Sequence, residues 1–306
     1  MKKRAILMRL LKAALALTMP MAWSIAMMAG AIFFTASLLA DDAFVQAEEL
    51  SFPYDLDNPV EIFKLPHELD EISGISYSGE DTLACIQDEG GIIYIFDLSQ
   101  GEVVERYRFG KGRDYEDLAV VNESAYVLQS NGHIFQVMNF REKDPVVRKL
   151  KALPLSSKNN TEGLAFDHKS NSLLIVCKGF QELKGKHVDL SGENAVYEFD
   201  LKRRTLSVRL VYPALAGGSL FQPSAIAVHP ISGHIYILSS VSRRLWIVDH
   251  KGKVIAERRL NRKMFKQPEG ICFHPGGDLF ISNESRGRGR ARILRFKYQL
   301  KTIFPK

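Results

Sequence analysis

The amino-acid sequence predicts an all-β fold, a five-bladed β-propeller that is closed by an N-terminal strand and preceded by one N-terminal transmembrane or signal helix. A motif that recurs five times along the 306 residues carries this prediction. Its anchor positions are Glu71, Glu116, Glu162, Ser224 and Glu269, spaced by 45, 46, 62 and 45 residues. Each anchor opens a series of short apolar runs with Gly and Asp turns between them, which is typical of a propeller blade.

Four short strands are expected in each unit. In the first unit, the apolar run after Glu71 is followed by a turn at 78–81 and by the runs Leu83–Ile86, Ile92–Phe96 and Val103–Phe109. Helical repeats of similar length would need an apolar period of about 3.6 residues, which these runs lack. The unit is therefore a small antiparallel sheet.

The ring is expected to close through the N-terminal end of the propeller. The fifth unit has only three strands before the chain ends, and Pro59–Pro66 supplies the missing outer strand. Such a strand covers an edge that would otherwise pair with other molecules. Five units fill residues 60–304, whereas six blades would need a repeat that we do not find. The surplus of the third unit lies mainly in Gly179–Asn194, which we expect to form a loop.

The N-terminal segment predicts export and a membrane anchor. Residues 13–40 carry no charge, five Lys or Arg side chains precede them, and Asp41 and Asp42 follow. This order holds the positive end in the cytoplasm, and the apolar length suits a spanning helix better than a cleaved signal peptide. We therefore expect an anchor at 1–40, a linker at 41–58 and a periplasmic propeller at 59–306. Cleavage before Glu48, which would release the body into the periplasm, is the alternative.

Composition argues against nucleic-acid binding. The net charge of +6 comes mostly from the first 40 residues, which leaves 36 basic and 35 acidic residues in the remainder. The main electrostatic signature of a nucleic-acid-binding domain is therefore absent.

Three cysteines in apolar runs indicate small core side chains rather than a disulfide framework.

The propeller geometry predicts a metal site at one end of the central channel. The loops that enter the innermost strands share one rim with the loops between the second and third strands, so both sets converge there. Several carboxylates with amide oxygens match the preference of Ca²⁺ for hard oxygen ligands. The predicted ligands are Glu71, Glu116, Glu162, Glu269, Asp88, Glu89, Asn283 and Glu284. The alternative is that the repeated glutamates bind backbone N–H groups and hold the blades together.

A small anionic ligand is the second expectation for this rim. Lys178 brings a cation to it, Ser224 replaces the repeated acid, and the fifth unit inserts Arg286, Arg288 and Arg290 in a glycine-rich loop. Arginine side chains can hold phosphate or carboxylate through forked donors. A flexible basic loop at the surface is the alternative reading.

The motifs resemble those of a bacterial family. The stretches EISGI at 71–75, DYEDL at 114–118, NTEGL at 160–164, PSAIAVHPISGHIYILSS at 223–240 and QPEGICFHPGGDLFISNE at 267–284 resemble the SdiA-regulated (YjiK-like) propeller proteins. The likeness covers about residues 60–298. It implies an envelope protein with an N-terminal membrane segment and a periplasmic propeller, and it implies no particular reaction.

Two other function classes stay open at this point. A more distant likeness to calcium-dependent lactonases and phytase-like esterases implies a metal-dependent hydrolase, in which Glu71 is the metal-binding glutamate of an entering strand. The sequence assigns no catalytic residue, and motifs for a serine nucleophile, a zinc protease or a phosphate-binding loop are absent from it. A non-catalytic envelope scaffold is the third class.

Overall fold

A computed structural model describes residues 52–150, 153–183, 186–187, 190, 192–285 and 289–299 of the chain. The anchor predicted at residues 1–40 lies outside these ranges, as do Arg286 and Arg288. No helix within the described ranges is long and apolar enough to cross a bilayer.

The described chain forms five four-stranded antiparallel sheets, which confirms the predicted five-bladed propeller. Blade 1 contains β2 (Ile72–Gly79), β3 (Thr82–Gln87), β4 (Ile92–Asp97) and β5 (Glu102–Arg108). Blade 2 contains β6 (Tyr115–Val121), β7 (Ser124–Gln129), β8 (Ile134–Met138) and β9 (Val146–Lys149). Blade 3 contains β10 (Thr161–Asp167), β11 (Ser172–Cys177), β14 (Asn194–Asp200) and β15 (Thr205–Tyr212).

The last two blades follow the same order, and the N-terminal strand completes the ring. Blade 4 contains β18 (Ala225–Val228), β19 (Ile235–Ser239), β20 (Arg244–Val248) and β21 (Val254–Arg259). Blade 5 contains β22 (Pro268–Phe273), β23 (Leu279–Asn283), β24 (Arg292–Phe296) and, as its outer strand, β1 (Glu61–Lys64). A 3₁₀ turn at His67–Leu69 and the hairpins β12–β13 (Glu182–Leu183, Lys186–His187) and β16–β17 (Leu215–Ala216, Ser219–Leu220) lie between these strands.

The closing strand pairs with β24 as the sequence predicts. Phe63 lies opposite Ile293, and the flanking Val60 N–H donates to the carbonyl of Arg295 at 2.8 Å. Phe63 and Leu65 are buried in a cluster that also contains residues of blade 1. The closing strand thus satisfies the edge of blade 5 and contributes to the core between the first and last blades.

The core lies between the blades. Each inner strand contacts the inner strands of both neighbouring blades, from β2 with β6 around to β22 with β2. The three cysteines are buried and free, as their apolar surroundings predict. We call the face where the inner strands β2, β6, β10, β18 and β22 begin the mouth face, and the face where they turn into their second strands the turn face.

A β-bulge begins most of the inner strands and corrects the alignment of the first repeat. In blade 2 the bulge leaves Glu116 between the paired residues Tyr115 and Asp117. In blade 1 the same position belongs to Ser73. The alignment of the repeats assigns Glu71 to this position, which is two residues too early. It matches the glutamates of the repeats, whereas strand pairing matches Ser73 with Glu116.

Close packing of the inner strands explains that register. A Cβ atom built on Gly74 would lie 2.7 Å from Cα of Asp117 in the neighbouring blade. Only glycine allows this approach, so the backbone of blade 1 must place Gly74, and with it Ser73, at the bulge. Glu71 precedes the strand and is exposed.

Candidate functional site

Three of the predicted glutamates meet at the mouth face. Glu116, Glu162 and Glu269 occupy the bulges of blades 2, 3 and 5. After burial, the charge of Glu162 is the largest influence that raises the pKa of Glu116, and Glu269 also raises it. Blade 1 separates blades 2 and 5, so this interaction acts across the channel opening.

Lys178 is the cation within this group. Its Nζ lies 3.4 Å from the Glu162 carboxylate, and Asn160 Nδ2 donates to Glu162 Oε1 at 2.6 Å. Burial raises the pKa of Glu162 to about 7, although Lys178 opposes the shift. Glu162 is therefore a carboxyl group that titrates near neutral pH.

The charge of Glu116 is compensated less than that of Glu162. Burial, followed by the charges of Glu162 and Asp114, raises the pKa of Glu116 to about 9. Burial also raises the pKa of Glu269, opposed by Lys178 and by hydrogen bonds from Ser240 and Gln267. Carboxyl groups with raised pKa values hold protons that a bound cation can displace.

A second acidic group lies beside blade 1. Burial raises the pKa of Asp88 to about 6, and the charges of Glu71 and Glu89 add to the shift. Glu71 and Glu89 are exposed, whereas Asp88 is half-buried and its Oδ1 has no hydrogen-bond partner among the described residues. The charge of Asp114 acts on Asp88 as well as on Glu116 and Glu162, so the two acidic groups are neighbours on one face.

Two buried amides end the second strands of their blades at this face. Asn283 lies opposite Pro268, and Gln129 lies opposite Tyr115. Both side-chain atoms of Asn283 and the Oε1 of Gln129 lack a hydrogen-bond partner among the described residues. Asn283 belongs to the predicted metal ligands, whereas Gln129, which ends β7 at the equivalent position, is not among them.

The remaining predicted site residues, Ser224, Glu284 and Arg290, differ in burial and in their hydrogen bonds. Ser224 is buried, its hydroxyl donates to the Pro268 carbonyl at 3.1 Å, and it accepts a bond from Ser240 N. It thereby ties blade 4 to blade 5. Glu284 follows β23, where its N–H donates to the Gln267 carbonyl, and Arg290 is exposed.

The donor set of the mouth face does not form a metal centre as it stands. No group of three or more His, Cys, Asp or Glu side chains in the described ranges is arranged to hold a metal ion. Lys178 already forms an ion pair with the Glu162 carboxylate. The oxygen donors have the character that calcium prefers, but the described acidic side chains are not gathered around one point.

Comparisons with known proteins agree with this architecture. The family described as SdiA-regulated matches residues 57–286. Among curated proteins, none matches the chain. The crystal structure of glutaminyl cyclase from Myxococcus xanthus is 14% identical, with 79% of this chain and 96% of that chain covered and a TM-score of 0.56. A luciferin-regenerating enzyme is 10% identical over 78% of this chain and 95% of that one, with a TM-score of 0.50. At such identities the likeness concerns the fold alone.

Proposed function

The chain belongs to the SdiA-regulated family of propeller proteins, and from this premise we propose that its mouth face captures a small positively charged ligand. The observation that carries the proposal is the electrostatic interaction of three glutamates from three blades with one another and with Lys178. When these three carboxyl groups lose their protons, they carry more negative charge than the Lys178 ammonium group can neutralise. A ligand with an ammonium or guanidinium group would supply the missing positive charge.

Proton exchange gives this binding its pH dependence. Glu116, with a pKa of about 9, and Glu162, with a pKa of about 7, hold protons over part of the neutral range. A cation must displace those protons, so its affinity rises as the pH rises through both values. Asn283, Gln129 and Asp88 have side-chain atoms with no hydrogen-bond partner in the described part of the chain, and these atoms can bind polar parts of the same ligand.

Calcium, which the sequence predicts, stays a proposal for the same face. Its binding requires that the carboxylates move together and that Lys178 leaves Glu162, because the described side chains are not arranged as a metal centre. For that reason we place an organic cation ahead of a metal ion. The anionic ligand proposed for Lys178 and Arg290 requires the same separation of Lys178 from Glu162.

Calorimetric titration of the full chain tests the proposal, with 1,4-diaminobutane and calcium chloride as separate probes. We expect the diamine to bind more tightly at pH 8.5 than at pH 6 and to release protons. Glu162→Gln should weaken binding about tenfold, because it removes one charge-assisted contact. Glu102→Gln, at an exposed outer-strand glutamate, is the matched control.

Equal diamine affinity in the Glu162 and Glu102 variants, or no change with pH, would contradict the site. Tight calcium binding that depends on Glu162 would show that the ligand of this site is the metal ion and not an organic cation. Acid–base catalysis is a second candidate, because the pKa of Glu162, about 7, lies near neutral pH and that of Glu116, about 9, lies above it. Chemical conversion of a bound ligand, lost in Glu162→Gln, would distinguish it from binding alone.

We also propose that residues 13–40 anchor the chain in the inner membrane with the propeller in the periplasm. The uncharged stretch and the cations before it support this orientation. The full chain should stay with membranes after alkaline washing, and protease should digest it in spheroplasts but not in intact cells. A chain shortened by cleavage near residue 48 would indicate release instead. Retention in the cytosol would refute both versions.

A further inference from the structure

A second cavity lies at the opposite end of the channel. It has a volume of about 440 Å³ and opens on the turn face. One equivalent side chain from each blade lines it, namely Ile75, Leu118, Leu164, Ile226 and Ile271. None of the mouth-face acids is among its lining residues. This cavity is therefore distinct from the cation site.

The wall of this cavity is mostly apolar. Tyr77, Phe166 and Phe273 add aromatic surface to the aliphatic side chains of the inner strands. Burial of an apolar group there removes apolar surface from water, which is favourable. Cavities of this size and lining are typical of sites for small organic molecules.

A polar pocket of about 310 Å³ continues from the opening, between blades 3 and 4. Its lining includes Lys169, Arg209, His234 and His250, and it shares Lys169 with the apolar cavity. A Cβ atom built on Gly233 would lie 2.5 Å from Lys169 Nζ, so the ammonium group rests against the turn of blade 4, where the two cavities meet.

The charges at this junction favour an anion. Lys169 forms no ion pair with any described residue, whereas Arg209 has Glu198 at 3.6 Å. Asp167, an acidic residue that lines both cavities, accepts bonds from Lys169 N–H and from the Ser170 hydroxyl and forms no ion pair with the Lys169 ammonium group. The apolar cavity thus ends beside a lysine whose ammonium group forms no ion pair with the residues that the structure describes.

We propose that the turn face binds an anionic amphiphile, with its hydrocarbon chain in the apolar cavity and its carboxylate or phosphate group on Lys169. Charge complementarity at Lys169 and the apolar lining together select this ligand class. The ligand can come from free fatty acid or from a membrane lipid. The chain enters the propeller at this same face, because Tyr54 donates to the Gly277 carbonyl in the turn of blade 5 at 2.6 Å.

Photo-crosslinking of the full chain in phosphatidylcholine nanodiscs tests this proposal. One arm uses a free diazirine fatty acid, and the other uses an anionic phospholipid that carries the same chain. We expect labelled peptides from the cavity wall, such as those that contain Phe166 or Phe273. Labelling in the first arm indicates a soluble source, and labelling in the second indicates the bilayer. Unlabelled decanoate should compete, whereas uncharged decanol should compete much less.

Lys169→Glu should reduce labelling about fivefold, because it replaces a favourable charge contact by a repulsive one. Lys202→Glu, at an exposed lysine in an outer turn of the same face, is the control. Both substitutions are at the surface and should leave diamine binding at the mouth face unchanged. Labels confined to outer strands, or equal labelling in the two variants, would overturn the proposal.

Discussion

Replacement of Asp117 by alanine is expected to lower the free energy of unfolding by about 3 kcal/mol. Asp117 is buried, and its Oδ1 accepts a bond from Leu118 N–H at 2.8 Å. Its Oδ2 accepts a bond from Leu164 N–H of blade 3, also at 2.8 Å. Burial raises the pKa of Asp117, and the two N–H donors oppose that shift. The substitution leaves both donors buried without an acceptor, and one of them belongs to the neighbouring blade.

Urea denaturation of the full chain at neutral pH measures this effect. Blade 4 has Ala225 at the equivalent position, so the inner strand itself accepts an alanine there. Asp144→Ala, at an exposed aspartate, is the control and should change stability by less than about 0.5 kcal/mol. If Asp117→Ala proves as stable as this control, the carboxylate does not join the blades.

Replacement of Glu116 by glutamine is expected to have the opposite sign and to stabilise the protein by about 2 kcal/mol at pH 7. The pKa of Glu116 rises from its ordinary value of 4.5 to about 9 in the folded state. Between these values the folded chain binds more protons than the unfolded chain, so the stability contribution of Glu116 falls as the pH rises. Glutamine does not titrate and removes this penalty.

The pH profile of the difference is the decisive measurement. The stability of the Glu116 variant should equal that of the wild type below about pH 4.5 and exceed it increasingly up to about pH 9. Glu89→Gln, at an exposed acid on the same face, should show little change. A constant difference across the whole pH range would mean that Glu116 is not held in an unfavourable charge environment. If the more stable Glu116 variant also loses diamine binding, Glu116 lowers the stability of the protein and is needed for binding.

The predictions that succeeded rest on local patterns that repeat. Apolar runs separated by glycine and aspartate turns predict strands, and four runs in each unit predict a blade. The shortage of one strand in the fifth unit predicts closure by residues near Phe63, which indeed pair with β24. The anchor, the calcium site and the location of the propeller stay predictions.

The misplacement of Glu71 shows where such patterns fail. Glu71 resembles the anchor glutamates of the other repeats, but strand pairing puts Ser73 at the bulge of blade 1. The pairing follows from the close approach of Gly74 to Asp117, which lies in another repeat. Comparison of repeats along the chain contains no information about that contact.

The sequence by itself determined the number of blades, their strand order, the closing strand and the face that gathers the acids, because these features follow from short-range periodicity and its repetition. Only the tertiary structure decided that Lys178 pairs with Glu162, that Asp117 joins two blades, and that Asn283 is buried with no hydrogen-bond partner for its amide among the described residues. These properties depend on distance and desolvation between residues far apart in the chain. Ring closure creates both, so no single repeat can reveal them.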